Sequence, residues 1–306
     1  MTWNAVAYKD FQDAARSRWL WGLSIFFIVF IGGTTALFFT YLTGKGAAAK
    51  DLFGLFAQGW LSFSYSGFLG FALAFIALVT SYGSVIDERE SGTLKLLLSL
   101  PHSRRDVVVG KLAGRSAVVV VPVLTGFVVA LVALVATGTS ISFGALLPQI
   151  ALTALLAMAF VSLGIGISAW ADTNRQATVG ALGLYFLFAI LWSLFVKGFP
   201  RLVYEATKRL PGVDKLSATN LVKMRLFIKY LDPLRAYETL VAQLYSGNAA
   251  AARLVKAGIQ ERFVLQQSFQ HGVPFYFTGW FILLVLLAWI VVPPILGYRV
   301  FRDADL

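Results

Sequence analysis

The chain has no cysteine and only two histidines, and charged residues make up just 13% of it. Without cysteine there are no disulfides, zinc–thiolate sites or thiol nucleophiles. His102 and His271 have no His or Cys partner at ligand spacing, so a histidine metal site is not expected. No G-x-x-x-x-G-K-[ST] stretch occurs, which excludes a P-loop for nucleotide. No apolar run carries a G-x-S-x-G elbow or a carboxylate pair, and no run has Asp, Glu, Lys, Arg or His in its interior. Ion- and proton-coupled transporters usually place ionisable groups there, so any work done on a cargo is expected to enter from outside the bilayer core.

What the chain has instead is apolar length. It is 58% hydrophobic, and soluble proteins are about a quarter charged. Runs of about 20 apolar residues predict six spans, at 19–42, 64–86, 115–137, 146–170, 177–197 and 276–298. Aromatic residues such as Trp19, Trp60, Trp170 and Trp280 stand near their ends, as interfacial belts do. The first run is longer than a signal-peptide core and has no small-x-small cleavage site, so it is expected to be retained. The net charge of +11 reads as basic flanks that orient spans rather than as a nucleic-acid surface.

Orientation follows from short loops. Lys9, Arg16 and Arg18, then Arg89 to Arg115, Arg175, and finally Arg299 and Arg302 fall on one side; Lys45 and Lys50 fall on the other. Both termini and the 87–111 loop are therefore expected in the cytoplasm, and the protein in the plasma membrane. Residues 1–18 read as an interfacial elbow helix, with Trp3, Val6, Ala7, Phe11 and Ala14 on one face and Asp10 as a blemish in that stripe. Residues 19–197 hold spans one to five with a cytoplasmic loop at 87–114, and 276–306 hold the sixth span and tail. Between them, 198–275 reads as a small helical extracytoplasmic insertion. In it Asp232 is placed to cap a helix that Pro233 opens. The predicted fold class is thus an all-α integral membrane protein.

The 87–111 segment is the densest polar stretch. Asp87–Glu90 extends the second span, Gly92 interrupts it, Thr93 caps a short helix at 94–99, and Pro101 ends that helix. Ser103 and Asp106 then form a capping-box pattern that opens the next helix. Leu94, Leu97 and Leu98 share a face of the short helix, and a cytosolic leucine cluster calls for burial.

The run Glu88-Arg89-Glu90-Ser91-Gly92-Thr93-Leu94 through Pro101, Arg104, Arg105 and Lys111 strongly resembles the loop between spans two and three of type-2 ABC exporter permeases. Asn4–Trp21 and the stretch from Pro233 to Tyr237 resemble a subgroup of these permeases linked to maturation of the copper enzyme nitrous-oxide reductase. The resemblance implies that Glu88, Arg89, Glu90, Gly92, Thr93, Leu94, Leu97, Leu98, Arg104 and Arg105 couple this chain to ABC ATPase subunits. It implies two such subunits, a second permease copy or close homologue, and a path lined by spans two and five. It also implies that the chain itself binds no cofactor, with ATP and Mg on the partner ATPase, and leaves room for an extracytoplasmic protein partner. The expected function is the permease subunit of an ATP-driven exporter, without enzymatic activity of its own. Two rivals remain from other classes: an interfacial lipid-modifying enzyme, for which no nucleophile–base pair is visible, and a mechanotransmitter that remodels an outer partner without moving a small molecule.

Overall fold

The computed structural model describes residues 3–37, 65–93, 103–138, 143–209, 217–246 and 273–303. All regular structure among the described residues is helical. Helix α1 (Trp3–Ala15) leads through Ser17 into α2 (Arg18–Leu37), which carries a π-helical turn at Ile28–Gly33. Helix α3 (Tyr65–Ser81) is followed after a turn by the short α4 (Ile86–Glu90). Then come α5 (Arg104–Ala136), α6 (Phe143–Trp170) and α7 (Asn174–Arg209), the last with a π turn at Leu187–Leu191. Helices α8 (Ala218–Leu231) and α9 (Pro233–Ser246) precede α10 (Gly279–Asp303). Among the described residues six segments are long and apolar enough to cross a bilayer: α2, α3 with α4, α5, α6, α7 and α10. The protein is an all-α integral membrane protein.

Helix α6 is the post around which the others pack, meeting α3, α5, α9 and α10. Its sequence suits that place because small residues let neighbouring backbones close in. A Cβ added at Gly166 would lie 2.7 Å from the Pro293 carbonyl oxygen, and one at Gly297 would lie 2.5 Å from the Gly166 carbonyl oxygen. The contact is backbone against backbone. It is reinforced by Ser162, whose hydroxyl donates to the Ile290 carbonyl at 2.8 Å. Pro294, four residues on, has no N–H to offer that carbonyl, so the serine replaces the missing helix bond.

The second span is not continuous. It breaks at 82–85, and the helix resumes as α4. The break is made good from other helices. The Ser168 hydroxyl of α6 accepts the N–H groups of Val85 and Ile86 at 2.9 and 3.1 Å, and Arg115 Nη1 of α5 donates to the Thr80 carbonyl at 3.0 Å. The sequence pattern has Asp87–Glu90 extending the second span, and the span does run to Glu90, with a break inside it. The interruption spans Gly83 and Ser84, and the backbone groups on either side of it, at Thr80, Val85 and Ile86, find polar partners on α5 and α6.

Helices α8 and α9 turn back into the bundle. The indole N–H of Trp192, midway along α7, donates to the Ile228 carbonyl at 2.9 Å, and that of Trp289 in α10 donates to the Leu231 carbonyl at 2.8 Å. These carbonyls belong to the last turn of α8 and would otherwise be orphaned. The turn between α8 and α9 thus lies inside the bundle, and α9 climbs back along α6. Its Tyr237 hydroxyl is 3.1 Å from Thr153 Oγ1, and its Tyr245 hydroxyl donates to Gln149 nearer the start of α6. Ala236, Tyr237, Thr239, Val241 and Ala242 are buried in the process. The apolar run at 177–197 is the middle of α7, whose helix continues through Pro200 to Arg209.

If the α6–α10 seam is set by backbone approach, Gly297→Val should destabilise the purified protein by about 1–3 kcal/mol, the usual cost of overpacking. Gly144→Ala, at a position with nothing within 4 Å, should change it by less than about 0.5 kcal/mol. Thermal unfolding in detergent reads both.

Candidate coupling site

One end of the bundle collects most of the ionic contacts among the described residues. Helix α1 lies across α5, and the fit depends on two glycines: a Cβ at Gly110 would sit 2.6 Å from Val6 Cβ, and one at Gly114 would sit 2.9 Å from the Ala7 carbonyl oxygen. This approach lowers Asp10 into a buried ionic cluster. Lys111, 1% exposed, places Nζ 2.9 Å from Glu88 Oε1 and 3.9 Å from Asp10 Oδ1. Arg115 Nε lies 2.9 Å from Asp10 Oδ2, in ionic contact but without hydrogen-bond alignment. Lys9 completes the group at 4.0 Å from Glu88. The blemish in the apolar stripe of α1 is therefore the residue that ties the elbow to α5. Neither Lys111 nor Arg115 was read as its partner, although glycines four apart at 110 and 114 marked the close-packed face.

The loop residues singled out from sequence divide into three groups. Glu88, Arg89 and Glu90 are all engaged across the cluster. Glu88 holds Lys111; Arg89 sits 3.7 Å from Asp172 and 3.5 Å from the Ala171 carbonyl; Glu90 Oε1 accepts the Asn174 N–H at 2.7 Å. That last contact puts a carboxylate on the first turn of α7, where free N–H groups and the helix dipole favour negative charge. Asp87 adds a bond from the Asn174 side chain at 2.5 Å. The α4 stub is thus joined to α1, α5 and the start of α7.

The second group frames the loop. Gly92 has φ +75°, the left-handed conformation in which glycine ends a helix most easily, and its N–H reaches the Arg89 carbonyl at 3.2 Å. Thr93 turns its hydroxyl back to the Glu88 carbonyl at 3.3 Å. On the far side, Ser103 and Asp106 form a complete capping box, with Asp106 N–H to Ser103 Oγ at 3.1 Å and Ser103 N–H to Asp106 Oδ2 at 3.0 Å. Arg104 Nη1 donates to the Phe301 and Arg302 carbonyls at 2.6 and 2.8 Å, closing the last turn of α10, and its guanidinium lies 5.4 Å from the Phe301 ring centre. Arg105 borders an apolar hollow of 280 Å³ between α5 and α10.

The third group stands apart. Leu94, Leu97 and Leu98 fall outside the described residues. Asp232 and Pro233 form the α8–α9 turn, away from this cluster. Asp232 is fully buried, and its Oδ1 accepts the Leu234 N–H at 2.9 Å. Burial pushes its carboxyl above the usual carboxylate range, against the pull of Arg235.

Chemically the cluster is a set of paired charges that fixes positions. Both ends of the 94–102 segment emerge from anchored elements, so a force applied there would reach α1, α5, α7 and α10 together. Lys111→Met should destabilise the protein by about 3–5 kcal/mol, because it strands the Glu88 carboxylate and weakens the hold on Asp10. Adding Glu88→Gln to it should recover part of the loss. Glu90→Ala, at an exposed pair, should cost about 1 kcal/mol or less. Denaturant titration of the solubilised protein would rank the three.

Residues 4–306 match the ABC-2 family transporter proteins. The chain is 27% identical over 304 residues to a "Probable ABC transporter permease protein NosY" of Stutzerimonas stutzeri, covering 98% of this chain and 97% of that protein. A protein of the same name from Pseudomonas aeruginosa is 31% identical over 193 residues, 62% of this chain and 67% of its own length. With six apolar helices and a match across nearly its whole length, the chain belongs to the ABC-2 transporter family and is the multi-pass membrane subunit of an ABC transporter.

Proposed function

We propose that this chain is the permease of an ATP-driven exporter, taking work from two separate ATPase subunits through the 94–102 segment and passing it to spans two and five. The observation that carries this reading is the anchoring of α4 and α5 on either side of that segment. A coupling element must be stiff enough for both sides to bias it, and Lys111, Arg89 and Arg104 supply that stiffness. Two copies of the chain form the pathway, both termini lie in the cytoplasm, and ATP with Mg is bound by the partner subunits. The permease name carried by the two relatives supports movement of a cargo.

One observation favours a second use of the same motion. Gly70 of α3 faces Tyr237 of α9, where an added Cβ would lie 3.3 Å from the ring. A shift of the second span would therefore move the α8–α9 hairpin. Work delivered at one end could be passed to an extracytoplasmic protein at the other.

Leu97→Asp should insert and dimerise normally, because the change lies outside the lipid, yet lose ATPase association or transport-linked hydrolysis. Wild-type complex recovery with wild-type coupled turnover would overturn the coupling role. Wild-type permease purified without its partners should hydrolyse no ATP above background. The chain has no native cysteine, so single cysteines report sidedness cleanly. Arg16→Cys should label from the cytoplasmic face and Asn220→Cys from the opposite one, and the reverse pattern would refute the orientation.

A further inference from the structure

Arg104 clasps the start of α5 to the end of α10 through the Phe301 and Arg302 carbonyls, and the apolar hollow of 280 Å³ lies just inside that clasp. Its walls are aliphatic, with Val109 and Leu112 from α5 facing Val291 and Ile295 from α10. Val109, Val291 and Ile295 are exposed, so the hollow is a furrow on the outer surface rather than a chamber within the bundle. Both helices are membrane spans, which sets the furrow at the depth of lipid chains. Its α10 wall, from Ile290 to Tyr298, is about 12 Å long, most of the roughly 15 Å of hydrocarbon in one leaflet.

The polar groups of the lining stand together at one end. Arg105, in the first turn of α5, and Tyr298, near the end of α10, border the furrow beside the clasp. Arg105 is exposed and makes no ion pair or hydrogen bond among the described residues, and the Tyr298 hydroxyl makes no hydrogen bond there either. The described carboxylates of these two helix ends are taken. Asp106 bonds Ser103 in the capping box, and Asp303 pairs with Arg302. Arg104, Arg105, Arg299 and Arg302 outnumber them and leave the rim positive. The Arg105 guanidinium offers five donors in a fork that suits phosphate, and the phenol of Tyr298 adds another. A headgroup ammonium meets no open carboxylate among the described residues of this rim, and so gains nothing from it.

We propose that the α5–α10 furrow binds an anionic phospholipid, with an acyl chain along Val109, Leu112, Val291 and Ile295 and the phosphate on Arg105 and Tyr298. Charge complementarity selects the occupant: the furrow accepts any acyl chain, and the positive rim favours a headgroup with net negative charge. The bound chain braces α5 against α10 just inside the Arg104 clasp.

The test is native mass spectrometry of the full-length chain released from nanodiscs with equal parts phosphatidylglycerol and phosphatidylcholine of the same acyl chains. Wild type should retain phosphatidylglycerol over phosphatidylcholine by roughly fivefold, the usual worth of one basic residue facing an anionic lipid. Arg105→Gln should bring the ratio near one at an unchanged melting temperature, since that side chain is not bonded within the protein. Arg16→Gln removes an exposed cation from α1 and should leave the ratio as in wild type. Val109→Trp fills the furrow while keeping Arg105, and should lose the retained phosphatidylglycerol. Equal retention of the two lipids by wild type would overturn the proposal, as would an unchanged ratio in Arg105→Gln. An equal loss in Arg16→Gln would mark a diffuse basic surface, and full retention in Val109→Trp would mark a headgroup contact without the furrow; either overturns it. Lipid carried by monomers but absent from dimers would give the furrow to a second copy of the chain and overturn it as well. Should Val109→Trp fail to fold, the wild-type and Arg105→Gln ratios decide alone.

Discussion

At three breaks in helices inside the bundle, a carbonyl or N–H is released with little or no water to receive it, and a side chain from another helix takes the bond. Ser162 answers the proline in α10, Ser168 and Arg115 answer the break in the second span, and Trp192 and Trp289 answer the end of α8. Each repair crosses between helices, so each also fixes a relative position. The irregular points are consequently the points of registry. Without these partners the breaks would cost several kcal/mol each in an apolar surrounding, and α4 and the α8–α9 hairpin would have no reason to sit where they do.

Two kinds of contact divide the work. The α6–α10 seam is made by Gly166 and Gly297, whose backbones touch; it has little freedom to slide and suits a fixed frame. The α1–α5 contact combines close approach at Gly110 and Gly114 with charges on Asp10, Lys111 and Glu88. Its strength depends on how dry it stays, since the same pairs weaken as water enters. A frame that is apolar in one half and ionic at one end can hold its shape while that end responds to what docks there.

The features legible in the sequence were those set by local chemistry. Spans follow from apolar length, the Ser103–Asp106 box from residues three apart, and the helix stop at Gly92 from a residue that tolerates positive φ. Partners distant in sequence were not legible. Asp10 showed only as an intruder in a stripe, because periodicity gives the face of a helix and not what lies against it. Lys111 looked like one of many basic flanking residues. The depth of the α8–α9 turn was hidden for a similar reason. A hairpin of mixed polarity reads alike whether water or other helices satisfy it, and the tryptophans that accommodate it lie some 40 and 60 residues away in the chain.

The π turn in α7 has a consequence for its outward side. The exposed apolar residues before it are Val179, Leu182 and Phe186, Ile190 and Leu191 are exposed within it, and Leu194, Phe195, Phe199 and Leu202 follow. Phe186 and Leu191 are five apart, which in an unbroken α-helix would set them about 140° apart around the axis. The wider turn at Leu187–Leu191 brings the two nearer to one side. Apolar side chains thus stay exposed along the length of α7, forming a continuous greasy rail. One extra residue, taken up within a single turn, keeps that rail unbroken.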